Sequence, residues 1–504
     1  MNVLVILGHP RKDSYCGALA KEYIRGAEES GAKVESLILT DMQFDINVVV
    51  PSPQHQYMES DLIRAKELIL WSDHLVFIYP TWWGNIPALL KAFLDRIFIP
   101  GFAFRELQFD TYDKLLSPRT AQIITTMDTP LLIYRFLNAA PGTNALAGST
   151  LKFCGISPVR TLHLSPIKHS SQEKKQQWLR KVYLKGKALE SGVLTPWEKF
   201  KRKVNPWIKA IRLQFYPMTF FAYSAGAFAA SKFNQGFDVA VFLLGYLLLF
   251  LLEVIVVFNN EYHDKETDKL NKSYSIFSGG SRVLVEGLIS DESIHKAAKN
   301  LSLVSFVMAL VVAYLSASPF LITLSLISVL FMLAISYTAP PLKLSYNGLG
   351  EITVGFTHSF AMILSGFVFQ GGGMGEGFPW LLGVPLFLSI LPAIIMAGIP
   401  DYFADKQVGK GTLAVYMGKE RAAYLAVFFV FFSFFSTIIL KESGYLNEAY
   451  GNVIYLAFIH ASLLVKMLCK FIRKEVKPER IDGIMIVSLL YIMWFAMIPF
   501  TKLM

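Results

Sequence analysis

Cysteine is scarce in this chain: Cys16, Cys154 and Cys469 are its only three in 504 residues. They are scattered and odd in number, which gives neither a disulfide framework nor metal-ligand spacing. Charge is scarce as well. Asp, Glu, Lys and Arg make up 17% of the sequence, while hydrophobic residues make up 53%. Soluble domains carry roughly a quarter charged residues, so part of this chain is expected to lie in a membrane. No Gly-x-Gly-x-x-Gly opens a helix, and a Rossmann dinucleotide site is unsupported. A basic n-region is also missing: Met1-Asn2-Val3 runs straight into a short apolar stretch that ends before His9 and Pro10. That stretch is too short for a signal-peptide core, so the front is expected to start in the cytoplasm.

What is present is unevenly placed. The rear carries nine apolar runs, near 213–232, 238–258, 296–315, 319–338, 350–370, 379–399, 421–440, 450–470 and 483–501. Each approaches the length needed to cross a bilayer. The chain carries a net charge of +10, and many of its basic residues collect beside these runs. A membrane surface explains them better than nucleic acid does. The stretch 195–212 carries Trp197, Trp207 and six Lys or Arg residues, as an interfacial cytoplasmic linker would. With a cytoplasmic front, the loops holding Lys265, Lys269, Lys343, Lys410 and Arg473 face inside, in agreement with the positive-inside rule. The expected division is a front domain over 1–191, a basic linker over 192–212 and a membrane domain over 213–504.

Acidic residues cluster where two of the runs end. Asn260, Asp264 and Asp268 follow the second run, spaced four apart, and Asp401 and Asp405 follow the sixth at the same spacing. On a helix each step of four drifts only about 40° and rises about 6 Å. Each cluster thus presents oxygens on one helical face at a membrane boundary, a donor set suited to hard divalent cations and the phosphates they bind.

The front alternates strands and helices. Strands are expected over 3–7, 34–39, 75–79, 121–126 and 159–164, with helices from Ala18, over 89–98 and over 172–189. This pattern predicts an α/β domain, a parallel sheet with helices on both faces, with its ligand at the carboxyl ends of the strands. The first strand leads through a polar loop to a helix N-terminus, which suits a phosphate. Gly8-His9-Pro10-Arg11-x-x-Ser14, Pro80-Thr81-Trp82-Trp83-Gly84-Asn85-Ile86-Pro87-Ala88 and Leu151-Lys152-Phe153-Cys154-Gly155-Ile156 together resemble the flavodoxin-like NAD(P)H:quinone oxidoreductases. The resemblance implies a bound FAD or FMN reduced by NAD(P)H, and a homodimer through this domain. It implies that His9, Ser14, Tyr15, Cys16 and Gly17 hold the phosphate side. Pro80, Thr81, Trp82, Trp83 and Gly84 would line the isoalloxazine.

The two acidic clusters resemble the aspartate motifs of the UbiA superfamily of intramembrane prenyltransferases, Asn-Asp-x-x-Asp-x-x-x-Asp and Asp-x-x-x-Asp. Glu261 stands at the second position of the first motif, keeping its charge. The stretches 277–284, 336–351 and 405–415 look most like the members that prenylate 1,4-dihydroxy-2-naphthoate on the way to menaquinone. The implied fold is a flavodoxin-like domain fused to an all-α membrane domain of about nine helices. The implied reaction moves a polyprenyl group from its diphosphate to an aromatic acceptor. Mg²⁺ would be held by Asn260, Asp264, Asp268, Asp401 and Asp405, acting as Lewis acid and template. Lys343 and Arg282 would contact the diphosphate, with Arg212 as a third candidate, and Tyr337 would face the carbocation. His263 and His358 read as hydrogen-bonded structural residues. The alternatives are another acceptor (4-hydroxybenzoate, homogentisate or a non-aromatic alcohol), or a transporter with a regulatory redox domain. A transporter calls for ionisable residues at mid-depth, and Glu253, inside the second run, is the exception to the boundary pattern.

Overall fold

The computed structural model describes residues 1–106, 112–189, 193–234, 236–478 and 480–504. It divides into two compact units, Met1–Lys201 and Arg202–Met504. The boundary expected at Ser191 lies outside the described residues, and the stretch expected as a linker carries a helix, Pro196–Ile211.

The first unit is built on strands β1 (Asn2–Leu7), β2 (Lys33–Ile38), β3 (His74–Pro80), β4 (Phe104–Glu106), β5 (Tyr112–Lys114), β6 (Thr120–Thr126) and β7 (Val159–Leu164). Five of them form one parallel sheet in the order β2-β1-β3-β6-β7. Alternate residues of a strand point to opposite faces, and each face has its own core. Leu4, Ile6, Leu75 and Phe77 pack with Leu62, Ile69, Leu90 and Phe93, from the helices Ser60–Trp71 and Ala88–Ile97. Val3, Val5, Val76 and Ile78 pack on the other side with Leu19, Tyr23 and Val182, from the helices Tyr15–Glu29 and Gln172–Lys187. Every residue of β3 and of β6 is buried, as central strands covered on both faces require.

Two details differ from the sequence reading. The first helix begins at Tyr15 rather than Ala18, because Ser14 caps it by accepting the Gly17 N–H at 3.1 Å. β4 and β5 form a separate antiparallel pair, which the alternation of strands and helices did not suggest.

In the second unit the nine runs lie on the helices Tyr216–Asn234, Val239–His263, Asp291–Leu315, Phe320–Ser336, Gly350–Phe369, Gly377–Val408, Lys419–Glu442, Asn452–Arg473 and Asp482–Leu503. Among the described residues seven are long and apolar enough to cross a membrane. Phe320–Ser336, with 17 residues, is shorter. Tyr216–Asn234, which carries Pro217, Lys232 and several hydroxyl side chains, falls outside the seven. It packs by close approach: a Cβ on Gly226 would lie 1.9 Å from the Ile363 carbonyl oxygen, and one on Gly366 would lie 2.0 Å from that of Tyr223. Small residues facing each other let two helix backbones meet where lipid supplies no hydrophobic drive.

Candidate functional site

The backbone carries the first acidic cluster through a helical register. The Asp264 N–H donates to the Asn260 carbonyl and the Asp268 N–H to that of Asp264, both at 2.8 Å. Asn260, Asp264 and Asp268 therefore share a face although the helix Val239–His263 gives way to a separate turn, Lys265–Leu270. Asp401 and Asp405 lie on the last two turns of Gly377–Val408. All five line one cavity of about 330 Å³, together with Tyr337, Arg212 and Lys410. Its remaining walls are largely apolar, with Leu249, Leu252, Leu330, Met362 and Ile390 among them. Two stretches far apart in sequence thus meet in one cavity.

Lys410, which in sequence reads only as an inside charge, lines the cavity and reaches back to the first cluster. Its Nζ donates to Asp264 Oδ2 at 2.6 Å, while the Tyr346 hydroxyl donates to Asp264 Oδ1 at 2.7 Å. Both oxygens of Asp264 are thereby engaged, and its side chain is only 4% exposed. Asn271 donates its amide to Asp401 Oδ1. Burial, then the charges of Glu261, Asp264 and Asp401, push the Asp268 carboxyl well above its ordinary range, against the pull of Lys410. Burial alone would depress the Lys410 ammonium; Asp264 and Asp405 together overcome it and hold the group above its ordinary value. The oxygen donors suit a hard cation. Among the described residues, however, no three His, Cys, Asp or Glu side chains converge closely enough to enclose one. Lys410 takes that neutralising role at Asp264.

Two loops complete the acidic end. Glu261 does not face the cavity: it is buried and accepts the Ser281 N–H, tying down the loop that passes over Asp268. In that loop Gly280 has φ +68°, and a Cβ there would lie 1.9 Å from Asp268 Oδ2. The stretches 344–351 and 409–415 bind each other, the Gly411 N–H donating to the Tyr346 carbonyl at 2.9 Å and the Leu413 N–H to Glu351 Oε1 at 2.8 Å. Of the remaining sequence candidates, Arg282 and Lys343 do not line the cavity. Arg282 donates to the Asp268 carbonyl at 2.7 Å and stacks on Tyr274, while the Lys343 ammonium lies 5.3 Å from the centre of the Tyr346 ring. His358 lines the cavity with its Nδ1 held 3.0 Å from the Val354 carbonyl.

The first unit has a second candidate site at the carboxyl ends of β1 and β3, where the strand order reverses direction. The helix starting at Tyr15 turns its first free N–H groups toward the loop of His9 and Ser14. The His9 ring meets the Trp82 ring edge-on at 5.8 Å, so the loops after β1 and β3 come together. Thr81 is fixed by its hydroxyl contact with Thr125, 2.7 Å. Gly84 accepts the Gly142 N–H through its carbonyl, 3.0 Å. Pro80 ends β3 and is buried. Cys16 is buried against the Thr126 hydroxyl at 3.4 Å, and burial raises its thiol to about 11, so it is a packing residue rather than a nucleophile. The Tyr15 hydroxyl is committed to the Lys175 carbonyl at 2.7 Å. Trp83 is fully exposed with φ +52°. Tyr134, Thr143 and His163, absent from the sequence reading, form a hydroxyl-to-imidazole chain near these loops, with links of 3.2 and 3.0 Å.

Comparison with known proteins divides the chain in the same way. Residues 1–184 match the model of a flavodoxin-like fold, and residues 218–497 that of the UbiA prenyltransferase family. An uncharacterized NAD(P)H oxidoreductase of Haemophilus influenzae is 27% identical over 169 residues, 32% of this chain and 81% of that protein. A UbiA prenyltransferase domain-containing protein 1 of Dictyostelium discoideum is 32% identical over 95 residues, 19% of this chain and 28% of that protein. A solved digeranylgeranylglyceryl phosphate synthase aligns with a TM-score of 0.40 and 20% identity, over 60% of this chain and 98% of its own.

Proposed function

Since the chain belongs to the UbiA prenyltransferase family through residues 218–497 and carries a flavodoxin-like NAD(P)H quinone oxidoreductase domain before them, we propose that it serves isoprenoid quinone biosynthesis. The rear unit transfers a polyprenyl group from its diphosphate to an electron-rich aromatic acceptor. The acceptor its motifs resemble most is 1,4-dihydroxy-2-naphthoate, a precursor of menaquinone. The front unit reduces a quinone with NAD(P)H through FAD or FMN. The observation that carries the reading is the meeting of both acidic clusters at one end of one largely apolar cavity.

Asn260, Asp264, Asp268, Asp401 and Asp405 would hold Mg²⁺, which supplies Lewis-acid neutralisation of the leaving diphosphate. In this arrangement Lys410 gives up Asp264 and turns its ammonium to the diphosphate oxygens, where positive charge lowers the barrier to ionisation. Tyr337, on the cavity wall, offers a ring face to the allylic cation. The apolar walls keep water from quenching it. In the front unit, the helix end at Tyr15 and Cys16 with the Ser14 and Gly17 backbone would hold the flavin phosphate. His9, Thr81 and Trp82 would wall the ring. A bound flavin supplies hydride transfer between the nicotinamide and the quinone. The positive-inside pattern supports a cytoplasmic position for the front unit and the acidic end.

The test incubates the intact protein in membranes with Mg²⁺, a panel of prenyl diphosphates and a panel of aromatic acceptors, followed by mass spectrometry. A prenylated quinol that disappears without Mg²⁺ is the expected product. A protein that binds no prenyl diphosphate and transfers to no acceptor would overturn the reading.

A further inference from the structure

Glu253 lies outside both acidic clusters. It is on the Val239–His263 helix, two turns before Asn260, and thus about 10 Å deeper along the axis. It lines the same cavity as the clusters. Its Oε2 takes the Thr219 hydroxyl at 3.4 Å, a long contact, and its Oε1 is buried with no partner. On the neighbouring helix, one turn before Thr219, Tyr216 also lines the cavity, and its hydroxyl too is buried and without a partner. Around them the cavity is apolar, through Phe215, Leu249, Leu252 and Val256.

A buried polar atom without a partner is destabilising unless a ligand or a water completes it. Here a carboxyl oxygen that can accept and a phenol that can donate stand on two helices that wall one cavity. The group that satisfies both is a hydroxyl, donating to Glu253 and accepting from Tyr216. The depth of about 10 Å leaves room for a diphosphate at the acidic end and one ring system between it and Glu253.

We propose that Glu253 is the general base, and Tyr216 the hydrogen-bond donor, for the ring hydroxyl of a phenol or hydroquinone acceptor. The proposal rests on the reading of this cavity as a prenyl-transfer site. Glu253 takes the hydroxyl proton while a ring carbon bonds to the allylic carbon and the allylic C–O bond to diphosphate breaks. The neutral dienone so formed loses its ring proton to the departed diphosphate, and Glu253 returns its proton to the ring oxygen. One C–H and one C–O bond are exchanged for one C–C bond, the released proton leaves with the diphosphate, and nothing is oxidised. The proton relay also explains why an acid is kept below the membrane boundary, where an unpaired charge is costly.

The experiment uses the intact protein with Glu253→Gln, Glu253→Asp and Tyr216→Phe, a hydroquinone acceptor, and a separate measurement of Mg²⁺-dependent prenyl diphosphate binding. Glu253→Gln is expected to lose transfer by about a hundredfold or more with diphosphate binding unchanged. Glu253→Asp keeps a base on a shorter arm and should exceed the Gln variant by at least about tenfold. Tyr216→Phe should lose about tenfold. A purely structural glutamate predicts the opposite order, because Gln keeps the length needed to reach Thr219 and Asp does not. Gln equal to or better than Asp, or loss of diphosphate binding in both variants, would overturn the proposal. Failure of the wild-type protein to bind or transfer any prenyl group would instead overturn the reading of the cavity.

Discussion

Asp264 is the residue on which both the resting arrangement and the proposed reaction turn. Its two oxygens are taken by Lys410 and Tyr346, so a cation must compete with a buried ammonium. Asp264→Asn, or Asp401→Asn, removes one charge at nearly constant shape. Prenyl transfer should fall at least about a hundredfold, a few kcal/mol of transition-state stabilisation, in a variant that still folds; turnover near wild type would sink the assignment. Lys410→Met leaves Asp264 buried beside Tyr346 without its cation, which is destabilising. That variant should melt below wild type in the absence of Mg²⁺ and gain more than wild type when Mg²⁺ is added; equal gains would mean that Lys410 and the metal do not share Asp264. The acids of the site were legible because four-residue spacing beside an apolar run shows in one dimension. Lys410 was not, because its partner lies 146 residues away and a lysine after a membrane run reads first as a topology signal. Glu261 shows the reverse: its place in the motif suggests a ligand, and its contact with Ser281 makes it a loop anchor.

At the scale of elements, runs of about twenty apolar residues announce helices whatever their partners, and all nine runs lie on helices. What the sequence hides is how the helices touch. Gly226 and Gly366 sit where two backbones meet, and nothing local distinguishes them from the other glycines. Gly226→Ala puts a methyl 1.9 Å from a carbonyl oxygen. It should destabilise the second unit by roughly 3 kcal/mol, read as a lower melting temperature in detergent. Gly377→Ala, where a Cβ meets nothing within 4 Å, should leave the melting temperature unchanged. In the first unit β1, β3 and β6 were legible as buried runs; the edge strands β2 and β7 bury one residue each, and β4 and β5 are three residues each, too short for a period to show. The helix Ser60–Trp71 carries its buried stripe at Leu62, Ala65 and Ile69, a helical spacing that the reading of strands passed over.

For the whole molecule the question is why one chain carries both units. A carbocation attacks electron-rich rings, and a hydroquinone is far richer in electrons than the quinone it oxidises to. A reductase tethered to a prenyltransferase would therefore supply the reactive form of the acceptor at the enzyme that uses it, and a tether raises one partner's effective concentration to about millimolar. The intact purified protein should carry a flavin, seen as yellow absorbance, and Trp82→Ala should weaken its retention by removing a ring from the proposed wall; a colourless protein that stays colourless with added FAD and FMN would remove the basis for coupling. With flavin present, the decisive assay supplies an oxidised naphthoquinone acceptor, a prenyl diphosphate and Mg²⁺, with and without NAD(P)H. Prenylated product is expected only with NAD(P)H, and chemical reduction of the acceptor beforehand should abolish that requirement. Trp82→Ala should lose product from the oxidised acceptor and keep it from the reduced one, because only the first path passes through the flavin. Equal product without reductant would separate the two activities and leave the fusion as a means of making both enzymes together.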